Sequence, residues 1–499
     1  MFLKKLLHRP AALVMHLALL LIIAGALATA FSARRGMLHL RVGDVASSYA
    51  DSKTGETPLP FSLRLDDFSV RCYPGTETPS DYRSEVSVLT GDGALLEQAS
   101  VSMNRILSCR GYRFYQSSYD NDSLGSTFTV SRDPWGIGLV YSGYALFLLG
   151  FLLFFFTDRK FKALGRKVTG IAAALVLLLS VGVPDAEAQT GVPESVSCEE
   201  TAGIPPEVQA EDCLPSPARI RAEKLYNSFP PLFPVAGVFL VVGLVLALWC
   251  ISYFIKGGEI PVRVRLAALV LDGVLWAFLT LMLVLLWIAS GHVPLSNGAE
   301  TMMSIAWTVL LGGLVAGWKF RLLPPYALVV ASLALMVAAM GQPRPGVTLL
   351  APVLSSPLLS VHVSLMMLSY AILALIMINS ASALGVYAFS RGRKMDVVSR
   401  LADVSMLRLY FGVFFLAAGI ITGSVWANVS WGCYWNWDPK ETWALITLLI
   451  YAIAVHRSDI EALRNPVVFH IFLLLAFISV LFTYFGVNYL LGGMHSYAS

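Results

Sequence analysis

The chain has 499 residues, of which 56% are hydrophobic and only 14% are charged, and its formal net charge is +4. This composition is typical of a polytopic membrane protein and excludes a soluble enzyme. So small a net charge gives no electrostatic support for nucleic-acid binding. The six cysteines form no C-x-x-C pair. The usual spacings of a zinc site, of a thioredoxin-like motif and of the C-x-x-C-H haem attachment motif are therefore absent from the sequence.

Apolar stretches long enough to cross a bilayer, about 20 residues each, recur along the chain. They predict a mainly α protein, a polytopic membrane helical bundle of about 10–11 spans. The predicted spans lie near residues 10–31, 136–157, 232–254, 266–290, 300–317, 322–340, 360–388, 409–427, 441–456 and 467–490. A shorter candidate lies near residues 168–184.

The distribution of Lys and Arg predicts the orientation of these spans. When the N-terminus is placed in the cytoplasm, every short loop on that side is basic, whereas the loops after residues 290, 340 and 490 are nearly free of Lys and Arg. Cytoplasmic loops usually carry the excess of positive charge. We therefore predict a multi-pass protein of the cytoplasmic or inner membrane, with a cytoplasmic N-terminus and an extracytoplasmic C-terminus.

Two hydrophilic pieces fall outside the membrane in this arrangement. Residues 32–135 contain alternating segments such as FSLRLDDFSV and STFTVSR, which predict a small β-rich extracytoplasmic domain. Residues 184–231 are rich in proline and acidic residues, which favours a loop. The cysteines of these pieces are Cys72 and Cys109 in the first and Cys198 and Cys213 in the second. The compartment permits a disulfide in each piece, and the sequence leaves the pairing open.

The segment at residues 158–190 has two interpretations. Its basic residues, the apolar run AALVLLLSVGV and the small-residue stretch AEAQ resemble a secretory signal peptide. Its position in mid-chain, after another span, favours a short internal helix followed by a loop. Either interpretation leaves the later spans oriented in the same way. We accordingly divide the chain into residues 1–160, a junction at 161–231, and residues 232–499.

The loop at residues 426–443, WANVSWGCYWNWDPKETW, contains five tryptophans in eighteen residues and ends in a helix-start signal. Asp438 suits the N-cap, Pro439 the first helical position and Glu441 the third, as in a capping box. Trp is common where helices leave a bilayer, but so many in one short loop favour a shelf for a flat, apolar ligand. The candidate ligand-contacting residues are Trp426, Trp431, Trp435, Trp437, Asp438, Lys440, Glu441 and Trp443.

Four histidines sort by predicted depth into two pairs. His362 and His495 fall at the outer surface, level with the tryptophan loop, whereas His16 and His456 fall in the inner half of the membrane. Two neutral imidazoles on opposite faces of a haem form a bis-histidine iron site. The alternative for each histidine is a bond to a neighbouring backbone group inside the bundle, although an ionisable residue within a span is a functional candidate by default.

Other histidines compete for these roles. His470 lies one turn into the last helix and competes for the inner pair, and His292, in GHVPLSN, could line the outer chamber. His8 and His39 are expected at the surface.

These residues make the chain resemble a fusion of the two System II cytochrome c biogenesis proteins ResB (CcsB) and ResC (CcsA), the CcsBA type. WGCYWNWDPKETWALI matches the WWD signature of the haem-handling superfamily. SPLLSVHVSLMMLSYA, GHVPLSNGAETM, IYAIAVHRS and GVNYLLGGMHSYA resemble the ResC pattern over residues 232–499. The N-terminal part resembles a short ResB through MHLALLLIIAGALATAFSARRGMLHLRVGD, RGYRFYQSSYD and DPWGIGLVYSG.

The resemblance implies a holocytochrome c synthase, a haem lyase that transports haem b across the membrane and joins it to the CxxCH motif of apocytochrome c. It implies that His362 and His495 ligate an external haem beside the WWD loop, and that His16 and His456 ligate a transmembrane haem. Expected partners are apocytochrome c, extracytoplasmic thiol-reducing proteins and the lipid bilayer. The alternatives are a haem carrier that loads a separate chaperone or ligase, and a secondary transporter for a small solute, which would show internal repeats.

Overall fold

The computed structural model describes residues 10–73, 78–157, 216–256, 258–340 and 346–491, without the side chain of Phe254. The chain divides into two compact units that are not consecutive in sequence. Unit 1 comprises Met1–Leu214, Leu350–Leu359 and Ser424–Tyr434; unit 2 comprises Pro215–Leu349, Ser360–Gly423 and Trp435–Ser499. The shorter span candidate at 168–184, the junction, Cys198 and Cys213 lie outside the described residues.

Unit 1 contains the predicted β-rich domain as one antiparallel sheet. Its strands are β1 (Arg34–Arg41), β2 (Val45–Asp51), β3 (Gly55–Cys72), β4 (Pro79–Leu89), β5 (Leu95–Val101), β6 (Leu107–Cys109), β7 (Tyr112–Tyr119) and β8 (Gly125–Arg132). The strand order is β5-β4-β3-β2-β1-β8-β7-β6. Alternate residues of β3, Phe61, Leu63 and Leu65, are buried in the core, as the period of a strand requires. Within the described residues, Cys72 and Cys109 are not joined by a disulfide.

Two helices of unit 1 flank this sheet in sequence, α1 (Pro10–Ser32) and α2 (Gly136–Thr157). They pack closely because glycines of α2 face α1. A Cβ at Gly143 would lie 2.6 Å from the side chain of Ile22, and one at Gly150 would lie 2.8 Å from Met15. Small residues at such positions let two membrane helices approach each other without a hydrophobic driving force.

The C-terminal part of the chain is helical. Its longer helices are α3 (Pro217–Ser228), α4 (Leu232–Lys256), α5 (Val262–Ser290), α6 (Gly298–Ala316), α7 (Leu323–Ala338), α8 (Pro357–Phe389), α9 (Met395–Trp431), α10 (Pro439–Val455) and α12 (Pro466–Leu481), with the short α11 (Glu461–Arg464) before the last. A 3-10 turn, Pro352–Leu354, precedes α8, and a π-helical segment, Phe482–Leu491, continues α12.

Within the described residues, eight helices are long and apolar enough to cross a membrane, and the chain is a multi-pass membrane protein. The predicted spans near 322–340 and 441–456 correspond to α7 and α10, which have only 16 and 17 residues. The span predicted at 409–427 is part of the 37-residue α9. The prediction began it too late because polar residues there, such as the Asp396–Arg400 pair one turn apart, interrupt the apolar run without ending the helix.

Candidate functional site

The predicted helix start in the tryptophan loop is confirmed. Asp438 is the N-cap of α10, Pro439 is the first helical residue, and Asp438 and Glu441 form a capping box. The Glu441 carboxylate accepts hydrogen bonds from the backbone N–H groups of Asn436, at 2.8 Å, and of Asp438, at 3.3 Å. One side chain therefore fixes the backbone on both sides of Trp437.

Trp437 is held in a rare conformation and exposed. Its φ is +56°, in the left-handed region that bulky residues avoid, and its side chain is 70% exposed. Strained backbone of this kind is kept only where the surroundings determine it, and it clusters at ligand sites. The ring packs edge-on against Trp435, with 5.8 Å between the ring centroids. The cap thus presents a large indole that the local fold does not bury.

The other tryptophans of the loop each pack against a neighbouring ring within their own unit. Trp426 is only 1% exposed and packs against Trp431, with 4.8 Å between their centroids. Trp443, in the first turns of α10, packs on Phe482 at 4.1 Å. Trp426 is a buried residue at the end of α9. The loop is shared between the two units, which divide between Tyr434 and Trp435, so the single ligand shelf and the contacts of its tryptophans stay predictions.

The first part of the loop is tied to the N-terminal region within unit 1. The Ser424 hydroxyl donates to the Tyr144 hydroxyl and the Asn428 amide donates to the Tyr141 hydroxyl, each at 2.8 Å. The Tyr434 hydroxyl donates to Thr29 Oγ1 at 2.8 Å. Thr29 in turn donates to Asp133 at 2.6 Å, and Asp133 accepts from the backbone N–H of Gly136, the first residue of α2.

A second segment, residues 350–359, is held by the same region. Tyr73 of unit 1 donates its hydroxyl hydrogen to the Leu350 carbonyl at 2.9 Å. The side-chain amide of Asn104 donates to the carbonyls of Pro352 and Ser355, at 3.1 and 3.0 Å. This segment leads directly into α8, whose sixth residue is His362.

His362 lies against two glycines of α9 within unit 2. Its Nδ1 donates to the Gly419 carbonyl at 2.7 Å, and a Cβ on Gly423 would lie 2.5 Å from both Cε1 and Nδ1 of the ring. Only glycine leaves room for the imidazole at this point. With the proton on Nδ1, the lone pair is on Nε2, as in a histidine that ligates a metal and is oriented by a backbone carbonyl.

His16 and His456 have the same local arrangement. Nδ1 of His16 in α1 lies 2.7 Å from the Ala12 carbonyl, and Nδ1 of His456, at the end of α10, lies 2.8 Å from the Ala452 carbonyl. Each bond places the proton on Nδ1 and the lone pair on Nε2. His16 belongs to unit 1 and His456 to unit 2, so their pairing stays a prediction.

Two competing histidines have both ring nitrogens bonded. His292 lies 3.0 Å from the Val293 carbonyl through Nδ1 and 3.0 Å from the Thr348 carbonyl through Nε2. His470 is fully buried, with Ser380 Oγ 3.1 Å from Nδ1 and the Val398 carbonyl 3.2 Å from Nε2. These bonds favour a structural role for the two histidines. His495 lies outside the described residues, and so does His8. His39 is a surface residue on β1, bonded to Asp120.

Lys440 adds a cation to the first turn of α10. Burial lowers the pKa of its ammonium group to about 8, and the nearby Asp438 carboxylate opposes this shift only in part. A buried ammonium group gains from an anion that replaces its lost hydration. Lys440 can therefore bind a carboxylate near the exposed Trp437, whereas Asp438 and Glu441 build the turn.

These features define a multi-pass membrane protein of cytochrome c maturation. The ResB-like family matches residues 4–129, and the cytochrome C assembly protein family matches residues 295–495. Cytochrome c biogenesis protein CcsA of Guillardia theta is 34% identical over 44% of this chain and 81% of its own length, and that of Chlamydomonas reinhardtii is 36% identical over 46% and 67%. The chain belongs to the CcsA family of cytochrome c biogenesis proteins.

The chain joins both modules in one polypeptide, as a fusion of ResB and CcsA of System II. Protein NrfI of Wolinella succinogenes is 25% identical over 89% of this chain and 72% of its own length. The compact units do not follow the family boundaries. Unit 1 includes residues 350–359 and 424–434, which lie within the cytochrome C assembly match.

Proposed function

We propose that the chain is a System II cytochrome c synthase. It carries haem b from the cytoplasmic to the extracytoplasmic side of the membrane and attaches it through thioether bonds to the CxxCH motif of apocytochrome c. The observation that carries this proposal is the shared geometry of three histidines. His16, His362 and His456 each donate from Nδ1 to a backbone carbonyl, which places the lone pair on Nε2, the protonation state that a histidine needs to ligate haem iron.

Haem is first held by His16 and His456 and is then transferred to His362 and His495 beside the WWD loop. The exposed indole of Trp437, next to Trp435, offers a flat apolar surface for the porphyrin. Lys440 binds a haem carboxylate, because its buried ammonium group favours a negative partner. The orientation follows the basic cytoplasmic loops, so both the loop and the C-terminus are extracytoplasmic.

The attachment needs positioning more than acid–base chemistry. Each apocytochrome cysteine adds its S–H across one haem vinyl group: sulfur bonds to one vinyl carbon, hydrogen goes to the other, and nothing leaves. Holding thiol and vinyl in register supplies most of the acceleration such a step requires. The histidine of the CxxCH motif then replaces one protein ligand, which releases the product. Thiol-reducing proteins outside the membrane keep the apocytochrome cysteines reduced.

The principal test replaces each candidate ligand in a host without other maturation factors, together with one apocytochrome. We expect His362→Ala to lower holocytochrome at least about tenfold, the scale of losses when a metal site is disturbed, and added imidazole to restore part of it. His39→Ala, a surface histidine on the β domain, is the matched control. Normal maturation by His362→Ala without imidazole would overturn the ligand assignment. Haem bound to the purified chain without any thioether product would instead identify a carrier.

A second test uses the close contact between His362 and α9. Gly423→Ala places a Cβ 2.5 Å from the imidazole, so the ring must turn away from its position. We expect loss of the haem absorption that depends on His362. The helix α9 itself should not be weakened, because alanine favours a helix more than glycine does. Gly385→Ala is the matched control, because a Cβ there meets nothing within 4 Å. Equal haem spectra for the two variants would show that the His362 position is not the ligand position.

A further inference from the structure

Asn104 lies at a turn between the strands of the ResB-like region. The turn is closed by paired backbone hydrogen bonds between Ser102 and Arg105, at 2.8 and 3.1 Å. It follows β5 directly and lies within unit 1. The position of the Asn104 side chain is therefore set by the sheet, and not by the segments that it contacts.

Both the nitrogen and the oxygen of the Asn104 side-chain amide form hydrogen bonds. Its Nδ2 donates to the carbonyls of Pro352 and Ser355, at 3.1 and 3.0 Å, and its Oδ1 accepts from the Ser430 hydroxyl at 3.2 Å. An amide has two N–H donors on one side and a carbonyl acceptor on the other. No other side chain of this size supplies that combination, and a flipped amide would set oxygen against two carbonyl oxygens.

The three partners lie at the ends of two elements of the candidate site. Pro352 and Ser355 belong to the 3-10 turn and its exit, immediately before α8, which carries His362. Ser430 is the penultimate residue of α9, which carries the glycines that contact His362 and then leads into the WWD loop. Ser430 is almost completely buried, at 2% exposure. One amide thus fixes the distance between the start of α8 and the end of α9.

Neighbouring hydrogen bonds in unit 1 hold one or the other of these two segments. The Tyr73 hydroxyl holds Leu350, which belongs only to the first segment. The Ser131 hydroxyl donates to the Gly432 carbonyl at 3.4 Å, which belongs only to the loop. The side-chain bonds of Asn104 join both segments.

We infer that Asn104, a residue of the ResB-like region, is a positioning residue for the external haem site: it holds the segment that begins the His362 helix in register with the end of the helix that leads to the WWD loop. This inference rests on the proposed function. It assigns the ResB-like region a direct part in the geometry of haem ligation, beyond receiving the apocytochrome.

The test is Asn104→Asp, which keeps the shape and the acceptor for Ser430 but replaces two N–H donors by an oxygen facing two carbonyl oxygens. We expect holocytochrome to fall about tenfold or more, because both hydrogen bonds to Pro352 and Ser355 are replaced by repulsion between oxygen atoms. The absorption of haem ligated by His362 should weaken in the purified chain, and added imidazole should restore part of the yield, as for His362→Ala. Ser117→Ala is the control, because its hydroxyl bonds only Thr129 across β7 and β8.

Ser430→Ala is the second variant, for the case in which Asn104→Asp does not accumulate in the membrane. It removes one hydroxyl and leaves both Nδ2 bonds, so a loss of a few-fold is expected. Normal maturation and a wild-type spectrum in either variant, while His362→Ala fails, would overturn the inference and leave the proposed function intact. A maturation defect without a spectral change or imidazole rescue would also overturn it. Normal maturation by His362→Ala would count against the proposed function itself.

Discussion

The two parts of the WWD loop, residues 424–434 and residues 435–443, differ in what their side chains contact. In residues 424–434, Trp426 is buried. Ser424, Asn428 and Tyr434 form hydrogen bonds to the N-terminal region. In residues 435–443 the Glu441 carboxylate caps the backbone N–H groups of Asn436 and Asp438, and Trp437 is left exposed on a strained backbone. We call residues 424–434 the fastening part, because they attach the loop to the N-terminal region. We call residues 435–443 the displaying part, because they expose the ring of Trp437.

The difference shows that aromatic density alone does not identify a ligand surface. Both parts are rich in Trp, but only the second holds a Trp in a strained backbone conformation with its indole exposed. A left-handed conformation costs about 1–2 kcal/mol for a residue with a Cβ. A fastening residue would gain nothing from such strain, so the position of Trp437 favours contact with a ligand.

The largest effect is expected from Trp437. Trp437→Ala removes the ring and keeps the strained backbone, whereas Trp437→Gly removes both. We expect both to reduce external haem binding roughly 30-fold, the scale for losing a central aromatic contact. Trp437→Gly should unfold at a higher temperature than Trp437→Ala, because glycine adopts positive φ without strain, a difference of about 1 kcal/mol. Haem titration and thermal denaturation in detergent measure the two effects separately.

Haem binding that survives in Trp437→Gly would show that the displayed ring is not a haem contact. A thermal stability that is equal in the two variants would show instead that the backbone relaxes when the ring is removed. Either result would break the contrast between a fastening part and a displaying part.

The fastening part makes the opposite prediction. Tyr141→Phe removes the acceptor of the Asn428 amide, and the loss of one such bond should lower the free energy of unfolding by about 1 kcal/mol. Haem affinity should stay within about twofold, since other bonds still hold this part of the loop. Thermal denaturation and haem titration of the same preparation measure both. A large loss of haem affinity without a loss of stability would contradict the division.

The structural features that could be predicted from the sequence are those determined by residues close together along the chain. The capping box follows from Asp438, Pro439 and Glu441 within four positions, and the β domain follows from alternation within single strands. Apolar length places the helices, although polar turns obscured the start of α9. The family signature identified the histidines, whose side-chain geometry no local pattern encodes.

What the sequence could not predict are contacts between distant segments. The Asn104–Ser430 bond joins residues 326 positions apart, and an Asn in a turn has no feature that distinguishes it from a solvated one. The spacing of Gly419 and Gly423 follows the small-xxx-small pattern of close helix packing, which signals proximity but not that an imidazole fills the space. The burial of Trp426 depends in the same way on packing that its neighbours in sequence do not specify.

The last prediction, a pH dependence, concerns Lys440 in the displaying part. Its pKa is lowered to about 8 from the usual 10.5 because burial disfavours the charged form. A bound haem carboxylate favours the ammonium form, so haem binding takes up a proton between these two pH values. Haem affinity should be constant below pH 8 and about tenfold weaker at pH 9 than at pH 7.

Stability should change in the opposite direction over the same window. The unfolded chain binds the Lys440 proton more tightly than the folded chain, so the free energy of unfolding of the haem-free protein should rise from pH 8 to 10.5. General alkaline damage would lower affinity and stability together, so the opposed slopes isolate the lysine. Lys440→Gln should abolish both slopes while keeping the bond from the backbone N–H of residue 440 to Asp438 in the cap. A wild-type affinity that does not change through pH 8–9.5 would remove Lys440 from the haem site and leave the histidine ligands and the exposed indole of Trp437 as the contacts proposed there.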